Sequence, residues 1–369
     1  MRAALLLLVL ALAACSREAP RTSAALDPMR LLAAPADPRF ARAIEPPRLA
    51  FPRDHGAHPE FQSEWWYFTG NLAAVDGREL AYQLTFFRRA IAFDPPAGSP
   101  WAARDVYMAH LTICDGSARE FRAFERFERG AQGLAGCDAE PWKVWVRDWS
   151  ASGELEGGEV RLAARAEEVE LDLTLRAAKP VVLHGERGLS RKSAAAGHAS
   201  NYYSIPRLET SGSIVQRGRK FAVSGESWLD REWFTSGLAA DQVGWDWFAL
   251  RFDDGTELML YRLRLADGAL DPASSGTFVA RDGSATHLAA GDVRVEALSR
   301  WTSPASGASY PMRWRVSVAS LALEAELAPL HEACELDLSV RYWEGPVNAS
   351  ATRAGAKLRA TGFVEMTGY

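Results

Sequence analysis

Trp65-Trp66-Tyr67-Phe68, followed by Asp76-Gly77-Arg78-Glu79-Leu80, has a counterpart later in the chain: Trp245-Asp246-Trp247-Phe248, followed by Asp254-Gly255-Thr256-Glu257-Leu258. Each copy reads as an aromatic strand, a tight turn and a second strand, because Asp-Gly tolerates the positive φ angles that a short hairpin demands. Beyond the first turn, Leu80, Tyr82, Leu84 and Phe86 alternate with Ala81, Gln83, Thr85 and Phe87. The same period of two recurs in Met312, Trp314, Val316 and Val318, and again in Leu336, Leu338, Val340 and Tyr342. Side chains spaced this way fall on one face of a strand, so each segment is half buried. Turns at Asp115-Gly116, Gly157-Gly158, Asp267-Gly268 and Asp282-Gly283 cut the remaining chain into short strands. No long segment carries an apolar stripe of helical period, and the one place for a short helix is around Leu189–Gly197. The expectation is an all-β protein of two related antiparallel β-barrel domains, residues 50–230 and 231–369.

The composition agrees. The chain has 369 residues, 48% of them hydrophobic and 24% charged, which excludes wholesale disorder and collagen-like structure. A formal charge of −5 with no long basic run gives no electrostatic reason to bind nucleic acid. The 13 Trp, 16 Phe and 9 Tyr point to β-rich cores or an apolar cavity. At the N-terminus, Met1-Arg2 precedes the apolar run Ala3–Ala14, which is too short to span a bilayer. The order Leu12-Ala13-Ala14-Cys15 directly after that run resembles the bacterial lipoprotein signal, in which the cysteine thiol is acylated and becomes the new N-terminus. Residues 1–14 then form the signal peptide and 15–49, rich in Ala and Pro, a flexible tether. Ser16 rather than Asp after the cysteine favours a lipid-anchored position on the outer membrane, facing the periplasm. Of the other cysteines, Cys114 and Cys137 could close a disulfide worth about 3 kcal/mol, or Cys114, Cys137 and Cys334 could all remain free.

No Gly-x-Gly-x-x-Gly, Walker loop or Cys-x-x-Cys is present, so no nucleotide or redox cofactor is called. Gly225-Glu226-Ser227-Trp228-Leu229 approaches a nucleophile elbow but lacks its second glycine. His55-x-x-His58, with Glu60 and Glu64 nearby, has metal-ligand spacing, yet Pro52 and Pro59 make it a loop. The reading preferred is no metal, with the histidines hydrogen-bonded to hold that loop at a barrel mouth. The more telling stretch is Trp228-Leu229-Asp230-Arg231-Glu232-Trp233, which puts two acids on one side of a strand among indoles. A carboxyl group stripped of water there has a raised pKa and can serve as a general acid. Asp230 could equally pair with Arg231 or cap a turn. Asn201, Tyr202 and Tyr203 are candidates for the same cavity.

Taken together, Glu64-Trp65-Trp66-Tyr67-Phe68-Thr69-Gly70, Tyr202-Tyr203-Ser204-Ile205-Pro206-Arg207-Leu208, Trp228-x-Asp230-Arg231-Glu232-Trp233 and Gly244-Trp245-Asp246-Trp247-Phe248 resemble the AttH-like, carotenoid-hydratase-related lipocalin family. The resemblance spans Phe51 to Tyr369 and implies two tandem lipocalin-like barrels around an apolar cavity. It also implies cofactor-free chemistry. In the hydratase branch an aromatic-x-Asp motif supplies the acid, matched here by Trp228-x-Asp230. A His-x-Trp pair upstream is replaced by Asn201-x-Tyr203, and the usual His after the acid by Arg231. AttH-type members are associated with an ABC transport system.

The function expected is that of an envelope lipoprotein holding an apolar lipid or isoprenoid ligand, with an ABC transporter as the candidate partner. The alternatives are a hydratase acting on an isoprenoid C=C bond, and a secreted hydrolase. Asp230, Tyr203 and Trp228 are the candidate catalytic residues; Asn201, Trp233, Glu232, Trp65, Tyr67, Trp245 and Trp247 are the candidate ligand-binding residues. Cys15 is the site of lipidation. Replacing Cys15 by Ser is expected to abolish acylation and release the protein from membranes, which membrane fractionation and the mass of the mature N-terminus would check.

Overall fold

A computed structural model describes residues 36–94 and 97–369. The signal peptide, Cys15 and the first part of the expected tether lie outside the described residues. Strands follow one another almost without helix. The first sheet contains β1 (Ser63–Ala74), β2 (Glu79–Ala90), β3 (Asp105–Asp115), β4 (Glu120–Arg129), β5 (Ala135–Ala139), β6 (Trp142–Val146) and β7 (Trp149–Gly153). It continues with β8 (Val160–Ala166), β9 (Val169–Ala177), β10 (Val182–Leu183), β11 (Leu189–Arg191), β12 (Ala199–Gln216) and β13 (Arg219–Phe234). The second holds β14 (Gln242–Phe252), β15 (Glu257–Leu265), β16 (Ser275–Val279), β17 (Ala285–Ala289), β18 (Val293–Thr302), β19 (Ser309–Val318), β20 (Leu323–Pro329), β21 (Glu335–Asp337), β22 (Arg341–Arg353) and β23 (Ala356–Met366).

Both sheets are antiparallel meanders bent back on themselves. In the first, β1 lies between β2 and the last strand, β13; in the second, β14 lies between β15 and the last strand, β23. Pairing the first strand with the last is what closes an up-and-down barrel. Each ring is left open between two sequence neighbours, β4 and β5 in one and β17 and β18 in the other. One of the two barrel-like sheets is nearly closed and the other is a half-barrel. Arg126 helps draw the first seam together: its guanidinium lies over the Trp149 ring at 4.6 Å and donates to the Arg165 carbonyl at 2.8 Å.

The duplicated hairpins are present as read. β1 pairs with β2 and β14 with β15, and Gly77 and Gly255 take φ values of +82° and +81° in their turns. One expectation is corrected. No helix forms at Leu189–Gly197: the short strand β11 pairs with β12 and the chain then turns, Gly197 taking φ +80°. Of the two readings of the cysteines, the Cys114–Cys137 bond is not made. Cys114, Cys137 and Cys334 are free thiols, and the Cys114 sulfur instead lies 3.9 Å from Cys334 of the second sheet. The end of the stretch expected as tether packs on the barrel, burying Phe40 and Ala43.

A buried charge cluster fastens this N-terminal strap. Glu64 on β1 accepts from the Arg231 guanidinium at 2.7 Å, from Arg88 Nε, and from the His58 backbone N–H at 3.0 Å. Arg88 also donates to the His58 and Phe61 carbonyls at 2.9 and 2.7 Å. His58 stacks on Trp233 with ring centroids 3.8 Å apart, and His55 donates to or accepts from the Tyr203 hydroxyl at 2.6 Å. The histidine pair therefore holds the loop. Burial alone would raise the Glu64 pKa, but Arg88 and Arg231 hold its carboxyl well below the usual range. Glu64→Gln strands two buried guanidinium groups and is expected to cost about 3–5 kcal/mol in urea unfolding at pH 7. Because the folded pKa is depressed, this stabilisation is complete above the unfolded value of about 4.3 and disappears as pH falls through the folded value. The gap between wild type and Glu64→Gln is thus expected to narrow on acidification.

Candidate active site

Strand β13 decides which side chains meet. Alternation sends Trp228, Asp230 and Glu232 to one face and Leu229, Arg231 and Trp233 to the other. On the first face lies an apolar cavity of about 400 Å³, walled by both sheets. Asp230, Glu232, Trp65, Tyr67, Trp245 and Trp247 all line it, with Phe87, Met108, Leu263 and Val340 supplying apolar wall. Trp228 stands behind the acid, its indole N–H donating to Asp230 at 2.6 Å.

Asn201, Tyr203 and Trp233 are not brought to this cavity. Register pairs Tyr203 with Arg231 and Asn201 with Trp233, so all four share the opposite face. Tyr203 there sits edge-on to Phe51 and Trp233, while Asn201 and Trp233 border a separate recess under the strap. The neighbour in sequence, Tyr202, takes the place expected of Tyr203. Its hydroxyl donates to Asp230 at 2.6 Å and accepts the Trp247 indole N–H at 3.1 Å.

Asp230 is only 4% exposed. Desolvation pushes its pKa up to about 7, with Glu232 adding to the rise, against the opposing hydrogen bonds from Ser204, Tyr202 and Trp228. No cation pairs with it among the described residues. Glu232 has its own partners, Lys192 at 2.9 Å and the Ser200 hydroxyl at 2.5 Å. Lys192 is held charged against its burial by Glu232 and lies 4.0 Å from the Tyr261 ring centroid.

Behind Asp230 runs a short polar chain. Ser204 donates to Asp230, His184 Nε2 lies 2.5 Å from the Ser204 hydroxyl, and His184 Nδ1 lies 2.8 Å from the Thr277 hydroxyl. Burial, then Lys192 and His287, lowers the His184 pKa to about 3, so its ring is neutral. With Ser204 donating to the acid, Nε2 must carry the ring hydrogen, so His184 is no base toward Ser204. Ser227 is no better placed, buried between the Tyr82 and Thr210 hydroxyls at 2.7 Å each. Neither serine has the environment of a nucleophile.

Two further acids escaped the reading of the sequence. Glu344 on β22 and Glu365 on β23 are directly paired across the strands, and Glu365 lines the cavity. Tyr67 donates to Glu344 at 2.6 Å and Trp245 to Glu365 at 2.6 Å. Burial raises the Glu344 pKa well above its ordinary value and pushes that of Glu365 up to about 7. The sequence carried no signal for Glu344, because its face of the strand continues with the exposed Asn348, Ser350 and Thr352 and reads as solvent-facing.

The fold and site define a double-barrel β protein with an acid-bearing apolar cavity between its halves. The chain belongs to the AttH-like family, which it matches over residues 42–369. It is similar to the crystal structure of an AttH-type protein from Nitrosomonas europaea, with 32% sequence identity, 89% of this chain and 100% of that chain covered, and a TM-score of 0.79. Kievitone hydratase from Nectria haematococca shares the fold at 14% identity, covering 89% of this chain and 98% of that chain, with a TM-score of 0.67. CghA does so at 13% identity over 90% of this chain and 96% of that one, with a TM-score of 0.51. No curated protein matches.

Removing a donor from the Asp230 carboxylate destabilises its ionised form. Tyr202→Phe and Ser204→Ala are therefore expected to move the Asp230 midpoint upward from about 7, read by carbon-13 NMR of the labelled carboxyl. A midpoint near the ordinary 3.9 in the wild type would contradict the site's electrostatics.

Proposed function

We propose that this protein is a cofactor-free hydratase, adding water to or removing it from an alkene of an apolar, isoprenoid-like substrate with Asp230 as general acid. The observation that carries the reading is a desolvated carboxyl in an aromatic cavity wall, protonated in part near neutrality. Proton donation to the alkene gives a tertiary carbocation beside the Tyr67, Trp245 and Trp247 rings, whose π faces attract positive charge. The carboxylate left behind gains from the Tyr202, Ser204 and Trp228 donors, which hold it without needing to reorganise. Water then adds to the cation. That one of the fold's relatives is a hydratase supports the same class of reaction. Tyr203 and Trp233, on the far face, have no part in it.

The apolar wall also supports a second reading, a carrier for an isoprenoid or lipid in the cell envelope. Anchorage through Cys15 and delivery to an ABC transporter belong to that reading. Carrier and enzyme both need the cavity, whereas only the enzyme needs a proton inside it. Asp230→Asn preserves shape and one acceptor oxygen for Ser204 and Trp228, but has no acidic proton to give. With a prenylated phenol as probe, the substitution is expected to lower turnover by about 10²–10⁴-fold while binding of the probe persists. Binding without turnover in the wild type would leave the carrier.

A further inference from the structure

The hydratase reading accounts for the proton that enters the alkene and leaves open the proton that the added water must lose. The cavity wall facing Asp230 carries the groups for this second transfer. β22 and β23 set Glu344 and Glu365 opposite one another, and no ion pair reaches either among the described residues. Glu344 is fully buried, with one carboxyl oxygen accepting from Tyr67 and the other lacking any donor. Two carboxyl groups in contact without a cation cannot both be ionised, so one proton is shared between them. Each acid accepts one donor, Tyr67 for Glu344 and Trp245 for Glu365, so burial decides where the proton resides: Glu344 is fully buried with its second oxygen lacking a donor, and it carries the proton and presents it to Glu365 at the cavity wall. Glu365, the member that borders the cavity, is left as the ionised one.

The two acid sites are linked by short steps. Tyr67, which holds Glu344, is the strand partner of Asp230 on β1. Trp247, which holds Tyr202 and through it Asp230, is the strand partner of Glu365 on β14. The groups that bear on the pair are Tyr67 from β1, Asp230 and Glu232 from β13, and Tyr342 from β22; Lys192 is engaged by Glu232.

We propose that Glu365 is the general base that takes the proton from the water added to the alkene, with Glu344 as the positioning residue that shares a proton with it. This rests on the hydratase reading. The balance is complete without a co-reactant. Asp230 gives its proton to the alkene carbon and becomes a carboxylate. The water oxygen bonds to the cationic carbon, and one of its protons passes to Glu365, making the pair neutral. Return of that proton to Asp230 through solvent resets the site. The working form has Asp230 protonated and Glu365 ionised, so kcat falls at low pH as Glu365 takes up a proton and at high pH as Asp230 loses one.

The test uses the full chain with 4-(3-methylbut-2-enyl)phenol in ¹⁸O-labelled water. Glu365→Gln is expected to lower kcat by about 10²–10⁴-fold with KM within about threefold, and to remove the acid limb of the pH profile. Glu365→Asp keeps the acid limb at a reduced rate, and Asp230→Asn instead removes the alkaline limb. A measurement free of turnover guards against misfolded variants: infrared spectra of the ¹³C-glutamate protein at pH 7 should show a protonated carboxyl band that Glu344→Gln diminishes, the remainder belonging to Glu365 with its midpoint of about 7. Wild-type turnover with unchanged kcat and acid limb in Glu365→Gln would overturn the base and leave the hydratase. No ¹⁸O-labelled alcohol from the wild type would overturn both. A wild type lacking the protonated glutamate band would overturn the shared proton and with it the role of Glu344.

Discussion

Asp230 can keep a proton near neutrality only because the residue after it, Arg231, faces away. On a strand the two side chains leave opposite sides, and the fully buried guanidinium of Arg231 is claimed by Glu64, with the Trp66 ring 3.9 Å beneath it. A cation paired with Asp230 would hold its carboxylate ionised. The Glu64–Arg231 pair therefore does two things. It fastens the strap to the barrel, and it takes up the positive charge next to Asp230 in sequence. Of the cations that line the cavity, Lys192 is engaged by Glu232 and Arg88 by Glu64 and Asp105, while Arg89 donates to the Ser63 hydroxyl at 2.8 Å.

The second dependence is on both barrels at once. The cavity has no complete wall in either sheet. Tyr67 of the first reaches Glu344 of the second, Trp247 of the second reaches Tyr202 of the first, and Ser190 meets Tyr261 at 3.0 Å. Tyr67, Tyr202 and Trp228 accordingly belong to the same buried core as the second sheet's Trp247, Phe248 and Trp343. Each bent sheet is open along one seam, and together the two wall a cavity that neither lines alone.

How much of this could be read from residues alone follows from range. The hairpins were legible because Asp-Gly turns and alternating strands are local signals, and they recur at Asp76-Gly77 and Asp254-Gly255 in the structure. Asp230 and Glu232 were legible together because they are two residues apart on one strand. Trp233, three residues from Asp230 on the same strand, falls on the other face by alternation alone, whereas Tyr203 was misplaced for want of register: the pairing of β12 with β13 sets Ser204 and not Tyr203 opposite the acid. The register of that pair shifts between Ile205 and Leu208, a bulge that no period-two count across the segment anticipates. Glu344 and Glu365 were out of reach for a related reason. They are 21 positions apart and meet only through the hairpin of β22 and β23.

The physics of the cavity also separates the two readings of function. An apolar ligand is held by area and shape, and a greasy wall suffices for that. Buried carboxyl groups add nothing to such binding, and each costs free energy unless it is neutralised or hydrogen-bonded. In this cavity Asp230 and Glu365 have donors but, among the described residues, no ion-pair partner, and Glu365 is backed by a third acid, Glu344. The donors converge on the carboxylate oxygens, where charge appears once a proton has left. Such a wall is matched to the movement of protons at an apolar substrate more closely than to its storage, and that match is the physical ground for placing the enzyme ahead of the carrier.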